Sequence, residues 1–232
     1  MNSVLNSYAL SPVLLQFVGG VEGDAREDAV QIITDLVLEM DGLKDLEVGD
    51  GAADRVDAGG AFGLNKEPAY LAMNPNGLVP CLEDDGLVLW ESNAIVRYLC
   101  ARHSLGKFYP EELPARFVAE QWMDWQQTTL NPAGRDAFVQ WIRTPAAQRD
   151  DGLIAASVAA TEPLMGLLDA HLARQPFMAG DRFTMADIPV ACEIHRWWGL
   201  PQERVARPHL ERWYNTVSTR PGARGVLDQP LS

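Results

Sequence analysis

One stretch, residues 70–102, carries most of the local structural information in this chain of 232 residues. It begins with a turn over residues 74–77, because Pro fixes φ while Asn and Gly tolerate positive φ. A strand over residues 78–83, a hairpin turn over 84–86 and a returning strand over 87–90 follow. Apolar residues then recur at helical spacing. The pattern predicts a hairpin that leads directly into a helix.

Two positions in this stretch predict a binding edge. Pro80 removes a donor from the strand ladder, so it belongs at a strand start or an edge, where the backbone stays open to another extended chain. Ser92 is suited to cap the next helix, whose free N–H groups attract a carboxylate. Side by side, the two features would bind a small, extended, acidic peptide. Taken singly, Pro80 ends a turn and Ser92 caps a helix.

The same residues resemble the N-terminal, thioredoxin-like domain of cytosolic glutathione transferases, in particular the bacterial ones. The resemblance rests on three runs, NPNGLVP, LEDDG and LWESNAIVRYL. It implies that the bond between Val79 and Pro80 is cis and that the Val79 backbone pairs with the cysteinyl part of glutathione. It also implies that Glu91 and Ser92 hold the γ-glutamyl end. These four residues are the expected glutathione-binding residues.

The N-terminal part is predicted to complete a thioredoxin-like half. Residues 13–18 read as a buried strand, residues 25–40 as a helix that ends at Gly42, and residues 53–58 as a second strand. The order β-α-β followed by β-β-α would place helices on both faces of one sheet. The expected fold is therefore an α/β thioredoxin-like domain over residues 1–103, with a divergent segment over 1–54.

The residue that activates the glutathione thiol is not identified by this resemblance. Upstream of Arg55 the relatives carry a Ser, Tyr or Cys after the first strand, and this chain offers Ser7, Tyr8 and Ser11. Ser11 is the nearest match because Pro12 follows it. Its long separation from the second strand favours a turn residue instead, since such short motifs match by chance. The catalytic residue stays unassigned, with Ser11 as the candidate.

Residues 104–113 contain Gly and Pro and predict a domain boundary. The second domain, residues 104–232, is predicted to be all-helical. A long helix is predicted over about residues 152–173, and Pro163 is expected to kink or divide it. Thr184 is a natural N-cap with Asp187 three residues later, which predicts a capping box. The resemblance associates this second motif with folding of the family's helical domain.

Composition and charge limit the partners. The formal net charge of −13 argues against nucleic acid, because binding to a phosphate backbone requires clustered basic residues. Three cysteines without a C-x-x-C pair fit a reducing cytosol and are interpreted as buried small hydrophobes. The four histidines lack the spacing of a metal site.

No segment approaches the roughly 20 apolar residues of a membrane span, and no signal peptide is recognisable. We expect a soluble, cytoplasmic protein without a metal.

The leading hypothesis is a glutathione transferase in which the glutathione thiolate attacks a small hydrophobic electrophile, as in detoxification. The second substrate would enter a cleft between the domains lined by Trp122, Trp125 and Thr129, although aromatics at helical spacing usually serve burial. Family resemblance also implies a homodimer. The alternative is a non-catalytic glutathione-binding or interaction protein of the same fold. A disulfide reductase is disfavoured, because it would require a reactive cysteine in the first βα turn.

Overall fold

A computed structural model describes residues 14–17, 54–59, 62–224 and 226–231. The helix predicted over residues 25–40 and the candidates Ser7, Tyr8 and Ser11 lie outside these residues. The described residues of the N-terminal half form four strands and two α-helices: β1 Leu14–Phe17, β2 Asp54–Asp57, α1 Pro68–Met73, β3 Cys81–Asp84, β4 Leu87–Trp90 and α2 Ser92–His103. The first two strands lie within one residue of their predicted ends.

The four strands form one sheet in the order β2-β1-β3-β4. β1 pairs in parallel with β2 and antiparallel with β3, and β3 continues into the antiparallel hairpin with β4. A parallel pair joined to an antiparallel hairpin is the arrangement of a thioredoxin-like sheet, as the sequence predicted.

Two local predictions in this half were wrong. The strand predicted over residues 78–83 begins at Cys81 instead, because Pro80 has no N–H for a ladder and the Leu78 carbonyl is bonded to side chains. The cap of α2 is Glu91, not Ser92, because the Glu91 carbonyl accepts the first intrahelical bond from Ile95 N–H at 3.0 Å. Ser92 is the first residue of the helix.

The C-terminal half is helical. Its segments are α3 Leu113–Trp125, a π-helical turn Gln126–Leu130, α4 Asn131–Phe138, a second π-helical turn Val139–Arg143, α5 Asp151–Leu172, α6 Asp187–Gly199 and α7 Pro208–Ser218. Short 3-10 turns occur at Leu64–Lys66, Ala146–Gln148 and Pro221–Ala223. The chain therefore combines a thioredoxin-like domain with an all-helical domain.

Pro163 lies inside α5, and the helix continues through it, so of the two predicted alternatives the division does not occur and the kink stays a prediction. Its ring removes the donor to the carbonyl of Ala159, and both residues are exposed, so that water can occupy the carbonyl. α5 packs against α4 and α7, which supports the helix from its other sides.

The same helix changes one expectation from the sequence. α5 has 22 residues and a mean hydropathy of 1.4, so by length and composition it could cross a membrane, although core helices of soluble proteins meet this test too. The expectation that no segment is apolar enough was therefore wrong. The buried residues of α5, among them Ile154, Leu168 and Leu172, face the other helices of the domain.

The core of the helical domain is organised by Asp187, the first residue of α6. Its carboxylate accepts hydrogen bonds from the backbone N–H groups of Thr184 at 2.8 Å and Met178 at 2.9 Å and from Trp213 Nε1 at 2.8 Å. In return, Thr184 Oγ1 accepts from Ala186 N–H at 3.3 Å. The bonds between Thr184 and Asp187 that the capping box predicted are present, but the helix begins at Asp187 with Ala186 as its N-cap, so Thr184 is not the N-cap. The Asp187 carboxylate is fully buried.

Candidate functional site

The turn over residues 74–77 has the predicted geometry. Gly77 N–H donates to the Asn74 carbonyl at 3.0 Å, and Asn76 N–H donates to Asn74 Oδ1 at 3.1 Å. Gly77 has a φ of 60°, and a Cβ there would lie 3.0 Å from Leu71 Cδ2 and 3.1 Å from the Asn65 carbonyl oxygen. Only glycine therefore fits this backbone and this space without strain.

Four side chains then fix the two carbonyls in front of Val79. The Gly77 carbonyl accepts from Asn65 Nδ2 at 2.8 Å and from Lys66 Nζ at 2.7 Å. The Leu78 carbonyl accepts from the Tyr70 hydroxyl at 2.7 Å and from Asn74 Nδ2 at 2.7 Å. The chain enters Val79 along a fixed path.

Val79 itself differs from its two predecessors. Its bond to Pro80 is cis, as the resemblance implied. Val79 is only 4% exposed, yet among the described residues no hydrogen bond reaches its backbone N–H or carbonyl. Buried backbone polar groups are nearly always paired, so this edge is suited to an extended ligand that enters a recess.

The start of α2 lies beside this edge. The hairpin register that pairs Cys81 with Trp90 brings Pro80 next to Glu91 when it is continued by one residue. Glu91 is exposed and has a φ of 72°, an uncommon backbone conformation for a residue with a side chain. Ser92 is 5% exposed. The structure thus brings together all four predicted glutathione-binding residues.

The N-terminus of α2 supplies donors for an anion. Because Ile95 makes the first intrahelical bond to Glu91, the N–H groups of Ser92, Asn93 and Ala94 precede the hydrogen-bonded ladder of the helix. These groups and the helix dipole favour a carboxylate. Lys66, held at the Gly77 carbonyl, adds a cation on the other side of Val79.

The cysteines are unsuited to thiol chemistry. All three are free and buried. Burial raises the pKa of Cys81 to about 11 and that of Cys100 to about 12, and it also raises the pKa of Cys192. Since the thiolate is the reactive form, none of the three is a nucleophile at neutral pH. The interpretation of these cysteines as buried small hydrophobes is confirmed.

The helical domain meets α2 close to this site. Arg97 of α2 is paired with Glu120 and Asp124 of α3. Asn93 Nδ2 donates to the carbonyl of Met123 at 2.9 Å. The end of α3 and the first π-helical turn therefore lie next to the residues that follow Ser92.

The three predicted lining residues have different surroundings. Trp122 is 8% exposed and packs against the Trp125 ring at 5.2 Å and the His171 ring at 4.4 Å between centroids. Trp125 is half-buried, and Thr129 is exposed. Trp125 and Thr129 are four residues apart and have surface that a second substrate could contact, while Trp122 stands behind them in the core.

The predicted face of α3 needs a correction. The sequence pattern of this helix predicts one face formed by Phe117, Gln121, Trp122, Trp125 and Thr129, yet Phe117 is 62% exposed, and Gln121 is exposed as well. The buried side is formed instead by Ala119, Trp122 and Met123. The π-helical turn shifts the phase of the face beyond Trp125, so that a constant helical period does not extend through it. Among the described residues, no cluster of three or more His, Cys, Asp or Glu could hold a metal.

Known proteins carry the same two halves. Residues 50–102 match the model of the glutathione S-transferase N-terminal domain, and residues 151–216 match that of the C-terminal domain. Glutathione S-transferase GstB of Escherichia coli (strain K12) is 42% identical over 181 residues, which cover 77% of this chain and 87% of that protein. The chain belongs to the glutathione S-transferase family.

Other members of the glutathione S-transferase family are similar over nearly the whole chain. The glutathione-bound theta class enzyme of Xanthomonas axonopodis pv. citri has a TM-score of 0.81 and 37% identity, covering 95% of this chain and 99% of that one.

Elongation factor 1-gamma 1 of Oryza sativa subsp. japonica is 31% identical over 70% of this chain but only 39% of that protein. The family fold therefore also occurs within longer proteins.

The sequence did not single out Asn65, Lys66, Tyr70 and Asn74, which hold the path into Val79. The sequence does contain an indication of this role, because each of them is a polar residue or a tyrosine within 15 residues upstream of Pro80. Their partners are backbone carbonyls in a turn, and such contacts leave no periodic pattern. Ser11 lies outside the described residues.

Proposed function

We propose that this member of the glutathione S-transferase family is an enzyme that binds glutathione at the edge formed by Val79 and the start of α2. The observation that supports this most strongly is the buried backbone of Val79, which has no hydrogen-bond partner among the described residues, close to the first N–H groups of α2. An extended peptide that pairs with Val79 would satisfy both of its backbone groups. Pro80 keeps this edge free of a strand partner.

The charges of the site fit the two ends of glutathione. We assign the γ-glutamyl carboxylate to the N-terminus of α2, with the Ser92 hydroxyl and Glu91 completing that end. Lys66 is the local cation for the opposite, glycyl end. Since the chain carries a net charge of −13, these local groups must offset a repulsive overall field. Binding should therefore depend strongly on geometry at short range.

The chemistry follows from the position of the thiol. Glutathione bound along Val79 presents its cysteinyl sulfur at the recess, and the protein must favour the thiolate to make it a nucleophile. The described residues include no cysteine with a lowered pKa, so the thiol of glutathione is the reacting sulfur. Ser11 remains the proposed activating residue, with Ser7 and Tyr8 as the other candidates.

A small hydrophobic electrophile would enter between the two domains. Trp125 and Thr129 precede and follow Gln126 in the chain, and the contact of Gln126 with Asn93 of α2 supports a position for them near the glutathione site. Trp122 supports Trp125 from behind by an edge-to-face contact. These three residues are the proposed lining of the second-substrate cleft.

The remaining expectations concern organisation. We assign residues 1–103 to the glutathione-binding domain and 104–232 to the helical domain. A homodimer is supported by the exposed Phe62 and Phe117, at 51% and 62%, on the thioredoxin-like and helical halves. A soluble, cytoplasmic protein that acts in detoxification and binds no nucleic acid is consistent with the acidic composition and the buried free cysteines.

Calorimetry with glutathione, run beside a conjugation assay with chlorodinitrobenzene, tests the proposal. The wild type should bind glutathione and turn over the electrophile. Ser92→Ala combined with Glu91→Ala should weaken binding by at least about tenfold, because the contact of the Ser92 hydroxyl to the γ-glutamyl carboxylate and the contact of the Glu91 carboxylate to the γ-glutamyl ammonium group are both lost. Asp181→Ala, which removes an exposed carboxylate of the helical domain, is the control and should leave affinity unchanged. Wild type without affinity for glutathione would refute the proposal.

The second candidate function is a glutathione-binding or interaction protein without turnover. It is favoured by the elongation factor 1-gamma relative, which shows that this fold is also part of a protein not named as a transferase. The same pair of assays separates the two candidates. Binding of glutathione with no conjugation would support the second.

A further inference from the structure

A chain of buried polar side chains connects the start of α2 to the centre of the helical domain. Asn93 Nδ2 donates to Gln126 Oε1 at 3.3 Å, and Gln126 Nε2 donates to Glu193 Oε2 at 3.1 Å. Asn93, Gln126 and Glu193 are 6%, 1% and 5% exposed. Apart from Asn93 Oδ1, which has no hydrogen-bond partner among the described residues, every side-chain polar atom of these three residues is hydrogen-bonded, so the path constrains the geometry of its members.

The π-helical turn after α3 makes this path possible. Asn131 N–H donates to the Gln126 carbonyl, the five-residue spacing of a π-helix. This spacing places Asn131 above Gln126, and Asn131 Nδ2 also donates to Glu193 Oε2, at 3.0 Å. In a regular α-helix, residues five apart do not share a face. The wide turn therefore aims two amide groups at one carboxylate.

The far end of the path is anchored by an ion pair. Arg196 Nη1 lies 3.4 Å from Glu193 Oε1 within α6, and its guanidinium lies 4.1 Å from the centre of the Phe138 ring. With its Oε2 occupied by two amides and its Oε1 by Arg196, the Glu193 carboxylate has one orientation. Gln126 must present Nε2 to Glu193, which leaves its Oε1 for Asn93.

The near end reaches the proposed glutathione site. Asn93 directly follows Ser92, and its Nδ2 donates to the Met123 carbonyl as well as to Gln126. We propose that Asn93 and Gln126 are positioning residues that hold the N-terminus of α2 at the correct distance from the helical domain for glutathione to bind. This inference rests on the proposed function. Gln126, at 1% exposure, acts only through Asn93.

An apolar pair at these positions would serve stability equally well, because buried polar networks are often replaceable by well-packed hydrophobic residues. An apolar pair, however, lacks the directional geometry of a hydrogen bond. A donor to the Met123 carbonyl fixes the rotation of α2 about its axis, and with it the directions of the Ser92 hydroxyl and of the first N–H groups. A displacement of about 1 Å at such groups is sufficient to weaken binding strongly.

Gln126→Met tests this inference, because it keeps the volume of the side chain and removes both hydrogen bonds. Ser157→Ala is the matched control, since it removes a buried hydrogen bond between α5 and Ala133 of α4. Gln126→Met should raise the dissociation constant and the KM for glutathione about fivefold, the factor of one ordinary hydrogen bond. The KM for chlorodinitrobenzene should not change. Ser157→Ala should alter thermal stability but neither KM.

A second substitution separates positioning from general destabilisation. When Ser92→Ala is combined with Gln126→Met, the loss in affinity should be smaller than the product of the two single losses, because Ser92 contributes fully only when it is held in place. If Gln126→Met does not fold, Asn93→Ala replaces it in both measurements.

The outcomes distinguish this inference from the proposed function. Two results would overturn the positioning role and leave the proposed function intact. In the first, wild type binds glutathione and Gln126→Met binds it equally well. In the second, the loss in affinity of the double variant equals the product of the losses of the two single variants. Wild type with no affinity for glutathione would overturn both.

Discussion

Removal of the Asp187 side chain should produce the largest loss of stability among the polar residues of the helical domain. Its carboxylate accepts from Thr184 N–H, Met178 N–H and Trp213 Nε1, at 2.8 to 2.9 Å, and all four residues are buried. Asp187→Ala leaves three buried donors without an acceptor. At about 2 kcal/mol for each donor, the loss is about 6 kcal/mol.

Part of this loss is offset. Burial raises the pKa of Asp187 from 3.8 to about 6, which corresponds to about 3 kcal/mol of unfavourable charge burial at neutral pH. The alanine variant no longer carries this charge. The net decrease in the free energy of unfolding should therefore be about 3 kcal/mol.

Urea denaturation followed by tryptophan fluorescence measures this difference directly, provided that the slope with denaturant is unchanged. Thr184→Ala is the comparison variant, because its hydroxyl makes only two longer bonds, accepting from Ala186 N–H at 3.3 Å and donating to Asp187 Oδ2 at 3.5 Å, and its loss should cost about 1 kcal/mol. A decrease for Asp187→Ala no larger than that for Thr184→Ala would refute the account of Asp187 as the shared acceptor.

Three further outcomes are expected. Because the folded pKa of Asp187 is raised, its contribution to stability is fully present below about pH 4 and lost as the pH rises through about 6, so wild type should gain stability relative to Asp187→Asn between pH 7 and pH 4 in denaturation curves. Tyr70→Phe, which deletes one of two donors to the Leu78 carbonyl, should weaken glutathione binding about fivefold in calorimetry. Gly77→Ala should lower the free energy of unfolding by about 1–2 kcal/mol, since φ is 60° and Leu71 is close; equal stability would contradict the turn geometry.

The sequence predicted the parts of the fold that depend on local chemistry. The turn at Gly77, the hairpin and the bonded pair of Thr184 and Asp187 arise from residues within a few positions of one another, so spacing alone revealed them. The strands along the chain and the helical second half followed from the same local patterns. The four residues proposed to bind glutathione were named from the family resemblance, and they lie on either side of one hairpin.

Long-range polar contacts were not predictable in this way. Asn93 and Glu193 are one hundred positions apart, and only the folded chain brings them to the same glutamine. The π-helical turn that aligns Gln126 with Asn131 breaks the regular period after Trp125, so a constant helical spacing does not extend from α3 into this turn. Sequence periodicity assumes a uniform helix and does not predict such a turn.

A crystal structure of the wild-type protein with glutathione bound tests the central claim most directly. The account predicts that the cysteinyl backbone of the tripeptide forms hydrogen bonds with the N–H and carbonyl of Val79 and that the γ-glutamyl carboxylate lies within hydrogen-bonding distance of Ser92. The same structure would show which side chain approaches the sulfur. Glutathione bound elsewhere, with the Val79 backbone still unpaired, would contradict the account.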